Sequence, residues 1–458
     1  MKQTNIKIIT IASFTFFCAW MLSFVYEGQI LYVFLAEAEI SAELPVFLAI
    51  IFHGCGLFLA GFWIDDQMKA LKAMLLATLI CFVGSLLFIL KLRTLWLPAL
   101  YLMSFSAGVW MACWGDLYGR GIFAKERIKI AAAAIGSSTS LMIVFNVLAI
   151  NVSPTLALGL AMLSLLPAFW FVRQLTDCAQ IALPSEQSSA NGLRRAFGML
   201  CLFIVIITIN SGLMFQIINP AFSSLLTLTS WYWAVPYVAA IILTARYAYL
   251  LNRSHILYGA IGMLGLGFIG FLVFDRSAAS YLIVNTLILG SLGIIDLVWW
   301  TILGDMLEYH HNPVQLLGLG LGFNLLGILF GEAIANTLLD NSHLINPTTI
   351  GLTVVCLSLL ILPPMHLALE HFVSEIKQHG TQRGKMDFDK INIPDCVKLT
   401  EREKEILQLL LQGYTYYLIA EALVISVSTV KTHVKNIYNK FGIRNKSELI
   451  KILDQKSS

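Results

Sequence analysis

Apolar stretches of about 20 residues recur along most of this sequence and leave few folds open to it. The first, residues 8–26, contains no charged side chain. A bilayer core is crossed by roughly 20 apolar helical residues, and hydrocarbon admits only structures that satisfy their own backbone polar groups. Hydrophobic residues make up 58% of the chain and charged residues 12%, which is too apolar for a soluble domain. The pattern therefore predicts an all-α membrane bundle.

Twelve stretches fit the length that a membrane-spanning helix requires. The first follows a basic start, as in a signal peptide, but it has no small-residue cleavage site, and we predict that it is retained as a helix. The predicted spans are residues 8–26, 44–64, 71–90, 95–114, 130–151, 154–172, 196–215, 229–250, 255–274, 279–303, 314–338 and 347–369.

The longest polar stretch between spans, residues 173–195, comes after the sixth of them. It divides the predicted membrane domain, residues 1–369, into halves at 1–172 and 196–369. We therefore expect a six-plus-six bundle with this stretch as a cytoplasmic loop.

The two halves share a short internal echo at the end of their fourth spans. WMACWGDL at residues 110–117 is repeated as WWTILGDML at residues 299–307, at a constant offset of 189 residues for the Trp, Gly and Asp positions. We expect Asp116 and Asp305 to interact with basic loop residues or helix ends.

The loop after the second span carries a motif of its own. Residues 61–72, GFWIDDQMKALK, are similar to the Gly-x-x-x-Asp-Arg-x-Gly-Arg-Lys motif of the major facilitator superfamily. The match is partial, because Asp66 stands where the motif has Arg and Met68 where it has Gly. The resemblance implies a fold of parallel halves and says less about transport, since one fold serves many functions.

The distribution of basic residues predicts the orientation of the bundle. If the N-terminus is inside, 13 Lys and Arg residues fall in inner loops and helix ends, and 3 fall in outer ones. Short loops rich in these residues stay in the cytoplasm. With twelve spans the C-terminus is also cytoplasmic, and we expect a multi-pass protein of a bacterial inner membrane.

Basic residues are in excess after the last span. The first 374 residues contain 16 basic and 17 acidic side chains, whereas the remainder contains 14 and 10. Residues 370–396 have the composition of a polar, flexible linker, and residues 397–458 form a separate domain by pattern. The basic charge of this domain has three interpretations. It could bind nucleic acid, it could bind anionic lipid headgroups, or it could be a solvent-exposed helix face without a partner.

Capping residues divide residues 397–458 into four short helices. Thr400 and Glu403 form a capping box, and Ser426 is placed to cap the third helix, which Gly442 ends. The second and third helices are separated by a tight turn at residues 424–426. This is the helix-turn-helix arrangement, in which the second helix of the pair enters the major groove.

Residues 399–450 resemble the DNA-binding domain of the LuxR family, also called the GerE family. The matching segments are LTEREKEILQLLLQG, then IAEALVIS, then VSTVKTHVKNIYNKFGI, with spacing that needs no gap. The departure lies at residues 416–418, where Tyr-Tyr-Leu replaces the usual Asn-Lys-Glu. These aromatic residues open the alternatives of packing against another protomer, the membrane domain or lipid.

The third helix, from Val427 to Phe441, carries the residues that the resemblance assigns to DNA. Lys431, Thr432 and Lys435 would touch base edges in the major groove. The residues expected to hold phosphates, which fix the register without reading sequence, are Thr429, Asn436, Lys440 and Lys446.

The opposite side of the third helix is apolar. Val430, Val434, Ile437 and Phe441 recur at the three- and four-residue spacing of one helical face, and we expect them in the core. The fourth helix, with Leu449, Ile450 and Leu453, resembles the dimer contact of the family, so the predicted partners are double-stranded promoter DNA and a second copy of the chain.

Two acidic residues lie inside predicted spans, where charged groups are expensive. Asp296 is in the tenth span and Glu332 is in the eleventh. They could form a ligand or proton site between the halves, or they could make interhelical hydrogen bonds, and the sequence does not separate these alternatives. The eight cysteines are scattered, and we find no motif for a metal, a cofactor or catalysis. We therefore expect that the chain is not an enzyme.

Three functions remain compatible with a membrane bundle joined to this domain. The first is a transcription regulator whose membrane domain senses a small-molecule or membrane signal of unknown identity. The second is a secondary transporter of the major facilitator type with a fused DNA-binding regulatory domain. In the third, the bundle serves only as an anchor.

Overall fold

The structure is a computed structural model in which every described element of regular structure is helical, and this confirms the all-α prediction. The residues that it describes are 3–26, 28–122, 124–176, 190–248, 252–340, 347–383, 399–411, 416, 419, 420, 423, 425–443 and 449.

The first half of the membrane domain contains seven α-helices and a short 3₁₀ turn at Arg93–Leu95. Six of the helices correspond to the predicted spans, and the short α2 lies between the first two. The helices are α1 (Gln3–Ser23), α2 (Gln29–Glu37), α3 (Glu43–Trp63), α4 (Gln67–Ile89), α5 (Trp96–Gly121), α6 (Ala124–Asn151) and α7 (Pro154–Thr176).

The second half also contains seven α-helices. Between the first two, the chain forms a π-helical turn at Met214–Ile218 and a 3₁₀ turn at Pro220–Leu225. The helices are α8 (Ala190–Leu213), α9 (Leu226–Tyr232), α10 (Val235–Tyr247), α11 (Arg253–Val273), α12 (Ala278–Leu307), α13 (Pro313–Asp340) and α14 (Pro347–Arg383).

Eleven described helices are long and apolar enough to cross a membrane. The exception concerns the eighth predicted span, 229–250, which the structure divides into α9 and the 13-residue α10. Pro236 lies in the first turn of α10. Because proline cannot donate a backbone hydrogen bond and restricts the residue before it, it begins a new helix more readily than it continues an old one.

The contacts between the halves follow the two-fold repeat that the sequence echo suggested. Helix α3 packs on α13, and α6 packs on α10. Counted as spans, these pairs are the second with the eleventh and the fifth with the eighth, so exchanging the halves converts one pair into the other. The contacts of α5 with α13 and of α12 with α6 are related in the same way.

The first part of the predicted linker at residues 370–396 is helical. Helix α14 continues through Arg383, past the proposed start of the linker. Loss of hydrophobicity marks the end of a membrane span, but a helix needs no apolar residues to continue, and Phe372 is buried. The described chain divides into two compact units, and the boundary falls after Leu367 within α14; residues 190–193 belong with the C-terminal unit.

The described part of the C-terminal unit has its own apolar core. It includes α15 (Glu401–Leu411) and a further helix, here α16 (Val427–Phe441). Side chains from both helices and from the residues between and after them form one cluster, as expected for a small independent domain. The buried members are Ile406, Leu407, Leu410, Ile419, Ala420, Val430, Val434, Ile437, Ile443 and Leu449.

Glycines allow two helix backbones of the first half to approach each other closely. A Cβ atom added to Gly56 of α3 would lie 2.2 Å from the carbonyl oxygen of Phe105 in α5. A Cβ atom on Gly108 would lie 2.1 Å from the carbonyl oxygen of His53. Small residues commonly allow such packing between membrane helices, where van der Waals contact drives association.

We expect Gly56→Ala to lower the stability of the purified protein by about 1–3 kcal/mol, because the added methyl group must push the two backbones apart. The measurement is thermal unfolding in detergent. Gly259→Ala is the matched control, since Gly259 is also on a membrane helix and a Cβ atom added there would meet no neighbouring atom within 4 Å. Equal melting temperatures for the two variants would contradict the close packing of α3 and α5.

Candidate functional site

The start of α15 is fixed by the predicted capping box. The backbone N–H of Thr400 donates to Glu403 Oε2 at 2.8 Å, and the N–H of Glu403 donates to Thr400 Oγ1 at 3.2 Å. Lys440, near the end of α16, donates from Nζ to the same carboxylate at 2.6 Å. Glu403 therefore connects the beginning of α15 to the end of α16 and fixes how the two helices cross.

Both ends of α16 are also capped as the sequence predicts. Ser426 Oγ accepts a hydrogen bond from the N–H of Thr429 at 3.1 Å. At the other end, Gly442 adopts a left-handed conformation with φ of 67°, which a residue with a side chain enters only with strain. Its N–H donates to the Asn439 carbonyl oxygen at 3.2 Å, so the helix ends at a defined position.

Helix α16 separates an apolar face from a polar one. Val430, Val434 and Ile437 are buried in the domain core, and Phe441 packs against it, which confirms the predicted apolar face. Among the residues of the helix whose exposure is described, the exposed ones are polar or basic, and they lie at the spacing of adjacent helical turns. They include Thr429, Lys431, Thr432, Lys435, Asn436, Asn439 and Lys440.

Asn439 is an addition to the predicted set. It lies one turn beyond Lys435 and is exposed, so it extends the row formed by Lys431 and Lys435. The four-residue spacing could have identified it from the sequence.

Side-chain contacts bear on two of the roles predicted for this domain. Lys440, expected to hold a phosphate, forms an ion pair with the buried carboxylate of Glu403. Leu449, expected in a dimer contact, is fully buried in the core of its own domain and is not available to a partner. A leucine in an amphipathic helix fits a core as well as an interface, and sequence spacing does not separate the two. Lys446, Ile450 and Leu453 lie outside the described residues.

Tyr416, one of the residues that depart from the family pattern, packs against the core of the helix-turn-helix domain itself. Burial, with a further contribution from neighbouring Tyr416, raises the pKa of the Tyr438 phenol. Tyr416 therefore has a role inside this domain, and neither lipid nor another protomer is needed to explain it. Tyr417 and Leu418 lie outside the described residues.

The membrane domain contains a second candidate site, a cavity of about 170 Å³ lined by residues from both halves. Asp296 of α12 lines it. The carboxylate accepts hydrogen bonds from the Tyr237 hydroxyl at 2.8 Å and from Trp299 Nε1 at 2.9 Å. His53 also lines the cavity, and its Nδ1 is 3.2 Å from the Ser104 carbonyl oxygen.

Glu332, the other acidic residue predicted for a membrane site, is buried on α13 but does not line this cavity. The structure therefore does not bring Asp296 and Glu332 together in one site. A sequence pattern shows that both are in spans, but the rotation and depth of each helix decide which cavity a side chain reaches.

A cluster of charges joins the two halves at one end of the bundle. Arg127 of α6 is fully buried; its Nη1 donates to Asp305 Oδ1 at 3.1 Å, and its Nη2 donates to Glu308. Arg253 donates to the other oxygen of Asp305 at 2.6 Å. We refer to Arg127, Arg253, Asp305 and Glu308 as the Arg127 cluster. The sequence pattern alone predicts Arg127 only as a basic residue of an inner loop.

The two aspartates of the internal echo have basic partners, as expected. Asp116 pairs with Arg120 of its own helix at 2.5 Å, whereas Asp305 pairs across the halves. The repeat therefore supplies two equivalent acidic positions, and only one of them connects the halves.

The C-terminal domain matches a known family of DNA-binding domains. Residues 397–453 fit the family described as bacterial regulatory proteins, luxR family. The HTH-type transcriptional regulator MalT of Vibrio cholerae is 37% identical over 89 residues, which are 19% of this chain and 9% of that protein. The chain spans about a tenth of the length of the curated relatives that it matches.

The membrane domain resembles solved transporter structures. The proton:xylose symporter XylE superposes with a TM-score of 0.59 at 13% identity, covering 79% of this chain and 95% of that one. The human organic anion transporter MFSD10 superposes with a TM-score of 0.61 at 12% identity, covering 80% and 100%. At such identities the likeness establishes the fold.

The chain is thus a fusion of two recognised parts, a multi-pass membrane domain with the major facilitator fold and a C-terminal DNA-binding domain. That second part is a helix-turn-helix domain of the LuxR family. The C-terminal domain matches a family of regulatory proteins, and the membrane domain has a transporter-like fold. Neither of these is an enzyme family.

We expect acid to weaken the C-terminal domain through Glu403. Burial opposes its ionisation, but the hydrogen bonds from Lys440 and Thr400 outweigh burial and lower the pKa of the carboxyl. A carboxyl whose pKa is lower in the folded state stabilises the fold at pH values above its unfolded pKa of about 4.3. This contribution is lost as the pH falls through the pKa of the folded state. Glu403→Gln should cost roughly 1.5–3 kcal/mol at pH 7 and flatten the acid dependence, measured by thermal unfolding of residues 387–458.

Glu405→Gln is the control for this measurement. Glu405 lies on the same helix in an exposed pair with Arg402, and exposed pairs contribute about 0–1 kcal/mol. If both variants lost stability equally, the assigned role of Glu403 would be wrong.

We expect Arg127→Met to destabilise the membrane domain strongly, because it leaves Asp305 and Glu308 without their buried cation. Removing one partner of a buried ion pair costs about 3–5 kcal/mol. Lys7→Met is the control, since Lys7 pairs with the adjacent Glu126 in a partly exposed setting. Thermal unfolding of the full chain in detergent compares them, and a loss for Arg127→Met no larger than that for Lys7→Met would contradict the importance of the cluster.

Proposed function

We propose that the chain is a membrane-bound, sequence-specific transcription regulator, in which the membrane domain senses a signal and controls DNA binding by the C-terminal domain. The observation that carries the proposal is the basic, exposed face of α16 in a domain that matches a family of regulators. Its promoter-DNA partner, the control by the membrane domain and the signal itself are the parts that experiment must establish.

Within this proposal, Lys431, Thr432 and Lys435 face the base edges of the major groove. Lysine donors suit the acceptors of guanine, and a threonine methyl suits thymine. Thr429 and Asn436 hold phosphates and set the register. Lys440 is paired with Glu403, so it contacts a DNA phosphate only while it keeps that ion pair. Its expected contribution is therefore smaller than that of Thr429 or Asn436. Lys446 stays a prediction from the sequence.

We propose that both termini lie in the cytoplasm and that the bundle spans the inner membrane of a bacterium. The excess of basic residues in alternate loops supports this orientation. It also puts the DNA-binding domain on the side of the membrane where DNA is found. Dimerisation on palindromic DNA is expected for this domain, although Leu449 itself is part of the domain core.

The cavity with Asp296 supports a sensing role for the membrane domain. A ligand that binds there can control DNA binding only if it has different affinities for two states of the protein. The Arg127 cluster is one contact between the halves that would differ between such states, because it joins residues of α6 to residues of α11 and α12 and to the residue that follows α12.

A second candidate function is transport with a fused regulatory domain, and the major facilitator fold of the bundle favours it. It predicts saturable uptake or efflux in vesicles that is abolished by Asp296→Asn. The partial loop motif argues against it: Asp66, in place of the motif Arg, instead caps α4 by accepting from the N–H of Lys69 at 2.8 Å. A bundle that serves only as an anchor would neither transport nor respond to ligand.

We expect the Lys431→Ala and Lys435→Ala double substitution to abolish discrete binding sites of residues 387–458 on genomic DNA. Each lost base contact should cost about 1–3 kcal/mol. The measurement is a genome-wide binding map at several salt concentrations. The control is Lys404→Ala, which removes an exposed lysine on α15 that pairs with Glu401.

Discrete palindromic sites for the wild type, lost in the double variant and kept in the control, are the expected result. Uniform binding that salt removes for every sequence would mean that the domain has only electrostatic affinity, and the proposal of a sequence-specific regulator would fail. Control by the membrane domain would be refuted by a different result. This is the case in which the full chain occupies the same DNA sites as the fragment, to the same extent, under all growth conditions.

A further inference from the structure

The cavity in the membrane domain is built from seven helices, four in the first half and three in the second. Its lining includes Phe14 of α1, Tyr26 in the turn that follows α1, His53 of α3, Tyr237 of α10, Asp296 of α12 and Asn324 of α13. A site shared by both halves is positioned to respond when the halves move relative to each other.

Asp296 is the one carboxylate among the described residues that line the cavity, and none of these residues is lysine or arginine. Its two oxygens accept from Tyr237 and Trp299, which are both neutral donors. These bonds hold the carboxylate in one position without neutralising it. A charged group in a membrane interior is expensive and is usually retained for function.

The walls around this carboxylate are rich in aromatic rings. Phe14, Tyr26, Trp299 and Trp300 all line the cavity. The Trp299 and Trp300 rings lie 5.4 Å apart between centroids, and Phe14 meets Trp300 edge-on at 5.8 Å. The faces of such rings attract cations, most strongly where water is excluded.

The remaining polar groups of the lining include hydrogen-bond acceptors. A backbone carbonyl can only accept, so the Nδ1 of His53 must donate to Ser104, and Nε2 of the neutral ring is left as an acceptor. The amide oxygen of Asn324 and the hydroxyl of Thr139 can accept as well. An ammonium group carries only donors, so it matches this set, whereas an anion would meet the charge of Asp296.

The size of the cavity limits the ligand. An apolar cavity of about 150 Å³ holds benzene, and this cavity measures about 170 Å³. It therefore has room for one ring or a short alkyl chain together with an amine.

We propose that this cavity binds a small protonated amine with an apolar body, with Asp296 as its counter-ion. The inference deepens the proposed function, because it names the chemical class of the signal. Binding itself does not depend on DNA control, so the two can be tested separately.

The test uses the full chain, purified in detergent, and probes that share one body but differ in charge. These are benzylamine, benzyl alcohol and benzoate at pH 7, with hexylamine as a second amine. Binding is followed by tryptophan fluorescence, since two tryptophans line the cavity, and by the shift in melting temperature. We expect at least one amine to bind at least tenfold more tightly than benzyl alcohol and benzoate, and Asp296→Asn to weaken that amine at least tenfold.

Glu332→Gln is the matched control, because it neutralises a buried carboxylate of the same half that lies outside the cavity; its amine affinity should equal that of the wild type. If Asp296→Asn does not fold, Tyr237→Phe replaces it: this variant keeps the charge, removes one hydrogen bond to the carboxylate and should weaken the amine several-fold.

The inference would be overturned if neither amine bound the wild type, or if benzyl alcohol or benzoate bound as tightly as the amines. It would also be overturned if Asp296→Asn left the amine affinity unchanged, which is the result expected if the carboxyl held only a proton. Where Tyr237→Phe is used in place of Asp296→Asn, an unchanged amine affinity would overturn the inference in the same way. Amine binding together with ligand-independent DNA occupancy would keep this inference and refute sensing. Regulated DNA occupancy without amine binding would do the reverse.

Discussion

Satisfaction of backbone hydrogen bonds within hydrocarbon is the constraint on which this structure depends. It requires each span to be helical, and helices without a hydrophobic driving force between them must pack closely. The glycine contact between α3 and α5 and the pseudo-equivalent contacts of α3 with α13 and α6 with α10 follow from that requirement. Within such packing an unpaired charge is expensive, and the Arg127 cluster and Asp296 are two places where charged side chains have partners.

The C-terminal unit solves a different problem, because water surrounds its helices and a small core must hold them. There, one buried carboxylate does much of the positioning. Glu403 caps α15 and holds Lys440 of α16 at the same time, and the buried face of α16 completes the core. The consequence is that the exposed face of α16, with Lys431 and Lys435, is presented in a fixed orientation. The residues that hold the helix and those that face outward alternate along one short sequence.

Much of the fold could be predicted from the sequence, and the misses have physical causes. The spans were evident because their apolar length is a strong signal, yet Pro236 divided one of them, and α14 continued beyond its apolar part. In the DNA-binding domain the caps were predicted residue by residue, since a cap depends on neighbours within four positions. Leu449 was assigned to an interface and lies in the core, because an apolar residue in an amphipathic helix serves either purpose.

The sequence by itself determined the helical class, the number of apolar stretches, the two-part organisation and the capped helices of the DNA-binding domain. These depend on composition and on short-range spacing. Only the tertiary structure decided that Asp296 meets Tyr237 and Trp299 in a cavity, that Glu332 lies apart from it, and that Arg127 joins the two halves. Each of these contacts joins residues whose proximity depends on the rotation and depth of whole helices, and long-range packing alone sets those quantities.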